Sequence, residues 1–257
     1  MRRFFITAAT GLAAACLAGG CTASAQQPPA AIGSATRTPV ASPSTDVGVV
    51  AAVASNVGLS SNQLIAAATA ATNKATALHL TGTGFSFGGT VTVDAHLNRN
   101  GPSSGTLGYE GASIPFVATG GVDYFQLTPS LMTLEKLTDP AARGMWVTST
   151  SEYGEGVVLL FSSVLTLKSF LSHSFAGSGD VFAYTGLGRL GSQRVATYVE
   201  RTSTGLRYDY DFPAVGAALP LRVSGGDSDY GKDLDYTWNQ PTTPEVPSAS
   251  EIYTGQR

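Results

Sequence analysis

The sequence predicts an α+β fold: a single curved antiparallel β-sheet, a half-barrel, with helices packed on its concave face. Three observations carry this expectation. Segments of period two, each with one apolar and one polar face, recur in two blocks and number about ten. Short glycine-containing turns join them instead of alternating helices, which describes a meander and not a series of parallel crossover units. Helical periodicity is confined to the front of the ordered region and to the middle of the chain, so the helices must cover one face of the sheet.

The first element is a leader. Arg2 and Arg3 precede Phe4-Phe5-Ile6 and an uncharged run of Ala, Gly, Leu and Thr that ends at Gly20-Cys21. A positive start, an apolar stretch and small residues at the cleavage point form a secretory signal peptide, expected over 1–20. The stretch is short of the roughly 20 apolar residues needed to span a bilayer permanently. Leu17-Ala18-Gly19-Gly20-Cys21 resembles the lipobox of bacterial lipoproteins, with Ala18 in the slot usually held by leucine. The resemblance implies a diacylglyceryl group on the Cys21 thiol and cleavage just before it. Cys16 lies in the discarded segment, so the mature chain keeps one cysteine and no disulfide framework. Arg2-Arg3-Phe4-Phe5 also looks like a twin-arginine export signal, and the two export routes stay open.

Residues 21–58 form the second unit. They are rich in Ser, Thr, Pro and Ala, with only Arg37 and Asp46 charged. Such a composition buries no core and is expected to be a disordered tether. Roughly 36 residues of this kind span about 30–35 Å root-mean-square.

The head is expected over 59–257. Ser60-Ser61-Asn62-Gln63 offers capping chemistry before Leu64, Ile65, Ala68, Ala71 and Thr72, which predicts a helix over about 60–76. The alternation of Val91, Val93, Ala95 and Leu97 with polar neighbours predicts a strand over 90–98, and Asn100-Gly101 a hairpin turn. Further strands are expected at about 104–110, 112–119 and 121–127. Thr128-Pro129 then caps and opens a helix predicted to run to Asp139-Pro140. Met145-Trp146-Val147 is a short strand, and Glu152 and Glu155 fall in an expected polar loop. The residues from Gly156 to Phe175 fit one or two helices apolar over more than half their circumference. Such helices are buried on several sides or face something apolar that is not protein.

The last third returns to strands at 181–185, 194–201, 206–212, 219–224 and 233–238, each alternating. The Pro-rich tail 241–257 is expected along the edge of the sheet.

Read in order, these stretches resemble the actinobacterial lipoproteins of the LprG/LppX type, relatives of the LolA and LolB carriers. The likeness rests on the first helix followed by Ala77-Leu78-His79-Leu80-Thr81-Gly82, on the strand at 90–98, and on Met145-Trp146-Val147 after the 129–139 helix. It rests most on Leu219-Pro220-Leu221-Arg222-Val223, followed by Leu234-Asp235-Tyr236-Thr237-Trp238-Asn239 and a Pro-rich end. The resemblance spans about residues 60–250. It implies a hydrophobic cavity for acyl chains of lipids or glycolipids, carriage across the envelope, and no catalytic residues.

A bent sheet and apolar helices can leave a gap between them. The residues expected to line it are Val91, Val93, Leu97, Ile114, Phe116, Leu206, Tyr208, Tyr210, Leu219 and Leu221, faced by Leu160, Val164 and Leu171. The alternative is that the same side chains make a solid core in a structural or interaction lipoprotein with no ligand.

Other chemistry finds little footing. Gly186-Leu187-Gly188-Arg189-Leu190-Gly191 has dinucleotide spacing, but Ser192 to Val199 continues as strand where a helix is required, so a glycine-rich hairpin is expected. Asp227 to Asp235 has acidic residues, but Gly231 and Lys232 break the calcium-loop pattern. His79, His96 and His173 show no metal-ligand spacing, and no Gly-x-Ser-x-Gly elbow is present. Neither metal nor cofactor is expected, and an enzyme is not. The chain carries a net charge of −3, and without Arg2 and Arg3 the mature chain has 13 basic and 18 acidic groups. That balance disfavours nucleic acid and electrostatic adhesion to anionic lipid heads. The expected partners are acyl chains and, through the lipid anchor, the extracytoplasmic face of the cell membrane; the head is expected to be a monomer.

Overall fold

The computed structural model describes residues 54–86, 89–174, 180–227 and 230–255. The leader, Cys21 and residues 22–53 of the tether lie outside them. The elements are α1 (Ser61–Lys74), β1 (Ala77–Ser86), β2 (Gly89–Asn98), β3 (Ser103–Tyr109), β4 (Ala112–Ala118), β5 (Asp123–Gln126), α2 (Pro129–Leu134), β6 (Trp146–Thr148), α3 (Glu152–Phe161), α4 (Leu167–Ser174), β7 (Val181–Leu190), β8 (Gln193–Arg201), β9 (Arg207–Pro213), β10 (Arg222–Gly225) and β11 (Lys232–Trp238). The strands form one antiparallel sheet in the order β6-β5-β4-β3-β2-β1-β11-β10-β9-β8-β7, and its two edges do not pair with each other.

This order explains where the helices must go. The chain runs outward from β1 to the edge at β6, and resumes at the opposite edge with β7. The connection, which holds α3 and α4, therefore has to cross the sheet. Tyr153, Val157, Phe161, Leu165, Leu167 and Phe170 bury themselves in the same apolar cluster as Leu78, Leu80, Ala95, Leu97, Tyr208 and Tyr210 of the strands. The half-barrel with helices on its concave face is thus realised.

Local chemistry fixes each helix. Ser60 and Gln63 form a reciprocal capping box at the start of α1, which buries Leu64, Ala68 and Thr72. Arg99 reaches back to the carbonyls of Ala75 and Thr72 at 2.5 Å, satisfying the end of α1. Thr128 caps α2 as expected, but the helix stops at Leu134 and not near Asp139. Lys136 adopts φ +56°, a left-handed conformation that ends helical propagation. Glu152 and Glu155 are not in a loop. Ser151 accepts the Gly154 N–H at 3.1 Å and starts α3, whose first turn holds both carboxylates at the favourable end of the helix dipole.

Two boundaries differ from expectation. Ordered contacts precede residue 59: Ser55 bridges to Val215, and Asn56 is buried with its side-chain amide donating to the Pro213 carbonyl at 2.8 Å. In the last third, Leu219 and Pro220 precede the sheet, Leu221 donates to the Asp211 carbonyl at 2.7 Å and accepts the Tyr236 N–H at 2.9 Å, and the strand proper begins at Arg222. The tail does reach an edge. Ile252 bridges in parallel to Trp146 of β6, and Tyr253 donates to the Asp139 carboxylate at 2.7 Å.

Candidate functional site: an apolar cavity under the helices

The register between β1 and β2 shows how a cavity arises. On the concave face, Leu78 lies opposite Leu97, Leu80 opposite Ala95, Gly82 opposite Val93 and Gly84 opposite Val91. Leucines fill the first half of β1, and glycines replace them in the second half. Where the side chains stop, the layer beneath α3 and α4 is left unfilled. The gap is a cavity of ≈ 250 Å³ lined by Leu80, Gly84, Val91, Val93, Leu160, Phe161, Val164, Phe170, Tyr210, Gly231, Lys232, Leu234 and Tyr236, among others. Gly82 has a further role. At φ +139° it brings β1 so close to the Asp233 carbonyl of β11 that a Cβ would collide with it.

Of the residues expected to line a cavity, Val91, Val93, Leu160, Val164 and Tyr210 do so. Leu97, Ile114 and Phe116 are fully buried in the packed part of the core. Leu171 and Leu206 are half-buried against that core. Tyr208 is buried and donates to the Tyr230 carbonyl at 2.9 Å. Leu219 and Leu221 lie elsewhere, in a solvent-open groove shared with Leu190, Val215 and Trp238. The lining residues that sequence reasoning missed include Leu80, Gly84, Phe161, Phe170 and Leu234. The Leu-x-Leu-x-Gly-x-Gly run of β1 was the signal that could have found the first two.

Lys232 is the one charged residue that lines the cavity among the described residues. Its ammonium sits 4.5 Å from the centre of the Tyr208 ring, a cation–π contact. Burial lowers the Lys232 pKa, opposed by the nearby carboxylates of Glu200 and Asp180. Glu200, on β8 opposite Tyr208, is a buried acid. Burial raises its pKa, against the favourable charge of Lys232 and a hydrogen bond from Tyr210. Tyr210 in turn is held well above the ordinary phenol value by its own burial.

No family model matches the chain, and no curated protein matches it. Solved structures do. LprF from Mycobacterium bovis is 12% identical, the match covering 74% of this chain and 97% of that one with a TM-score of 0.49. The lipoprotein LppX from Mycobacterium tuberculosis is 16% identical, with 72% and 99% covered and a TM-score of 0.45. The chain resembles mycobacterial lipoproteins of this type. A conserved protein from Thermus thermophilus is 10% identical, with 75% and 97% covered and a TM-score of 0.38.

The remaining motifs resolve simply. Gly186 to Leu190 stay within β7, with a bulge between Tyr184 and Gly186, and the turn to β8 falls at Gly191-Ser192. Asp227 accepts the Tyr230 N–H at 2.9 Å in a local turn. Glu152 and Glu155 are exposed on α3. The side chain of His173 lies outside the described residues. His79 and His96, far apart in sequence, are direct cross-strand neighbours on the convex face.

Proposed function

We propose that this chain is a membrane-anchored lipoprotein that binds an acyl chain of an envelope lipid or glycolipid between its sheet and α3–α4, and carries or presents that lipid. The observation that carries this reading is the mainly apolar pocket beneath α3 and α4, where Gly84 leaves the layer open beside Val91 and Val93. The pocket opens to solvent and is lined mainly by Leu, Val, Phe and Tyr side chains, so an acyl segment that covers this surface gains about 25 cal/mol per Å2 of apolar area removed from water. An engineered cavity of about 150 Å3 accepts benzene, so the present volume suits a single tail segment of about ten carbons. A multi-chain lipid would have to part α3 and α4 from the sheet or leave its other chains outside. The helices suit that role: Val157 and Phe161 face the core, Leu160 faces the cavity, and Leu159 is left 69% exposed to solvent.

Anchoring in this reading comes from diacylglyceryl-Cys21 after removal of residues 1–20, which places the head on the extracytoplasmic face with residues 22–53 as its leash. Two acyl chains hold a protein stably at a membrane where one does not. Among the described residues no helix is long and apolar enough to cross a bilayer.

The test is native mass spectrometry of the chain purified without detergent exchange of its ligand, followed by uptake of a fluorescent fatty-acyl probe. Co-purified lipid and saturable uptake are expected. An empty protein that takes up no probe overturns the reading in favour of a ligand-free interaction lipoprotein. Cys21→Ser is expected to release the protein from the membrane fraction, and its retention there would refute the anchor.

A further inference from the structure

On the convex face, away from the cavity, β1 and β2 bring two histidines and an aspartate together. His79 and His96 are directly opposite each other in the ladder, and Asp94 stands two residues before His96 on the same face. The two imidazole rings stack with centroids 3.9 Å apart and planes 9° from parallel. His79 Nε2 lies 2.8 Å from the Asp94 carboxylate. His96 Nδ1 has no hydrogen-bond partner among the described residues. One donor atom from each of the three residues falls within 4.8 Å of the other two.

We infer that His79, Asp94 and His96 form a binding site for a divalent transition-metal ion of the zinc type. Two imidazoles and one carboxylate are a borderline donor set that suits zinc and its neighbours, and is poor for calcium or magnesium, which prefer oxygen alone. Zinc bonds of about 2.0–2.2 Å to nitrogen and oxygen place adjacent donors of a tetrahedral ion roughly 3.4 Å apart. The donors now lie within 4.8 Å of one another, so binding draws them together and turns the two rings out of their parallel stack. Asp94 is exposed and both histidines are half-buried, so the ion meets solvent and keeps a position for water. Three protein ligands with one open position differ from the closed four-ligand pattern of structural zinc. The ion would also bridge neighbouring strands at the centre of the sheet, so the folded head binds it and the unfolded chain does not.

Zinc titration of the full chain, without a polyhistidine tag and solubilised in detergent, tests the site by calorimetry. One saturable equivalent is expected, together with a rise in Tm on adding zinc. Asp94→Asn, at an exposed position that leaves the fold intact, is expected to weaken binding about tenfold, and His79→Ala by at least 100-fold. Cobalt(II) is expected to give the wild-type chain a visible ligand-field spectrum that His79→Ala loses. Absence of a saturable equivalent, or equal affinity in wild type, Asp94→Asn and His79→Ala, would overturn the proposal. Because the site is remote from the cavity, these outcomes are independent of lipid uptake.

Discussion

The Tyr198 hydroxyl donates to the Asn56 carbonyl at 2.6 Å and accepts the Leu59 N–H at 2.8 Å. A side chain from the middle of β8 thereby fixes the segment that leads into α1. Its ring is fully buried, edge-on to Phe212. Tyr198→Phe keeps the ring and strands two backbone groups. The expected loss is about 1–3 kcal/mol. For a head of this size that is a fall in Tm of about 2–4 °C per kcal/mol, read by thermal unfolding. An unchanged Tm would show that water replaces the hydroxyl.

A Cβ on Gly154 would run into the Thr148 carbonyl of β6, whereas one on Gly156 would meet nothing. Both glycines lie within α3. Gly154→Ala is expected to destabilise by about 1–3 kcal/mol through overpacking. Gly156→Ala should stabilise by about 0.4–1 kcal/mol because alanine restricts the unfolded chain. Chemical denaturation of both variants measures the pair, and equal signs would contradict the placement of α3.

These cases mark what was legible in the residues. Strands with a period of two, such as β2 and β9, declared both their existence and their buried face. The end of α2 did not, because Lys136 takes a left-handed conformation that no glycine announced. The start of α3 was hidden because Glu152 and Glu155 look like loop residues until Ser151 is recognised as their cap. Alternation told which face of a strand is inward, but not where along it the covering helices leave off. Hence Ile114 and Phe116 turned out to be packed core while Val91, on an equivalent face, borders the cavity. The pairing of His79 with His96 depends on register, which spacing within one strand cannot reveal.

Glu200 supplies a pH dependence with a definite sign. Burial raises its folded-state pKa, opposed by the Lys232 charge and the Tyr210 hydrogen bond and reinforced by the Asp180 charge. A carboxyl whose pKa is raised on folding stabilises the fold while protonated. That contribution is full below the unfolded value of about 4.3 and is lost as pH rises through the folded one. Glu200→Gln imitates the protonated form. It is expected to have a higher Tm than wild type at pH 7–8, the difference shrinking as pH falls toward 4. A difference that does not vary with pH would mean that Glu200 acts through packing alone.

The cavity itself separates two groups of residues that the sequence had placed together. Val91 and Gly84 face each other across β1 and β2 at the cavity wall, and Gly84 has ordinary space for a Cβ, at 3.4 Å from the Gly231 carbonyl oxygen and 3.6 Å from a Val91 methyl. Leu221 lies in the open groove beside Trp238, whose indole N–H donates to the Pro220 carbonyl at 2.7 Å. Gly84→Leu and Val91→Trp both put new volume where the tail is expected. Each is predicted to reduce uptake of an acyl probe at least tenfold, and filling the void should offset part of the cost of the added bulk. Leu221→Trp adds similar bulk outside the cavity and is predicted to leave uptake within about twofold of wild type, since each factor of ten needs about 1.4 kcal/mol. Titration of all three with the same probe, each checked for a cooperative melt, gives the comparison. Blocked uptake in Leu221→Trp with free uptake in Gly84→Leu would move the binding site from beneath the helices to the outer groove.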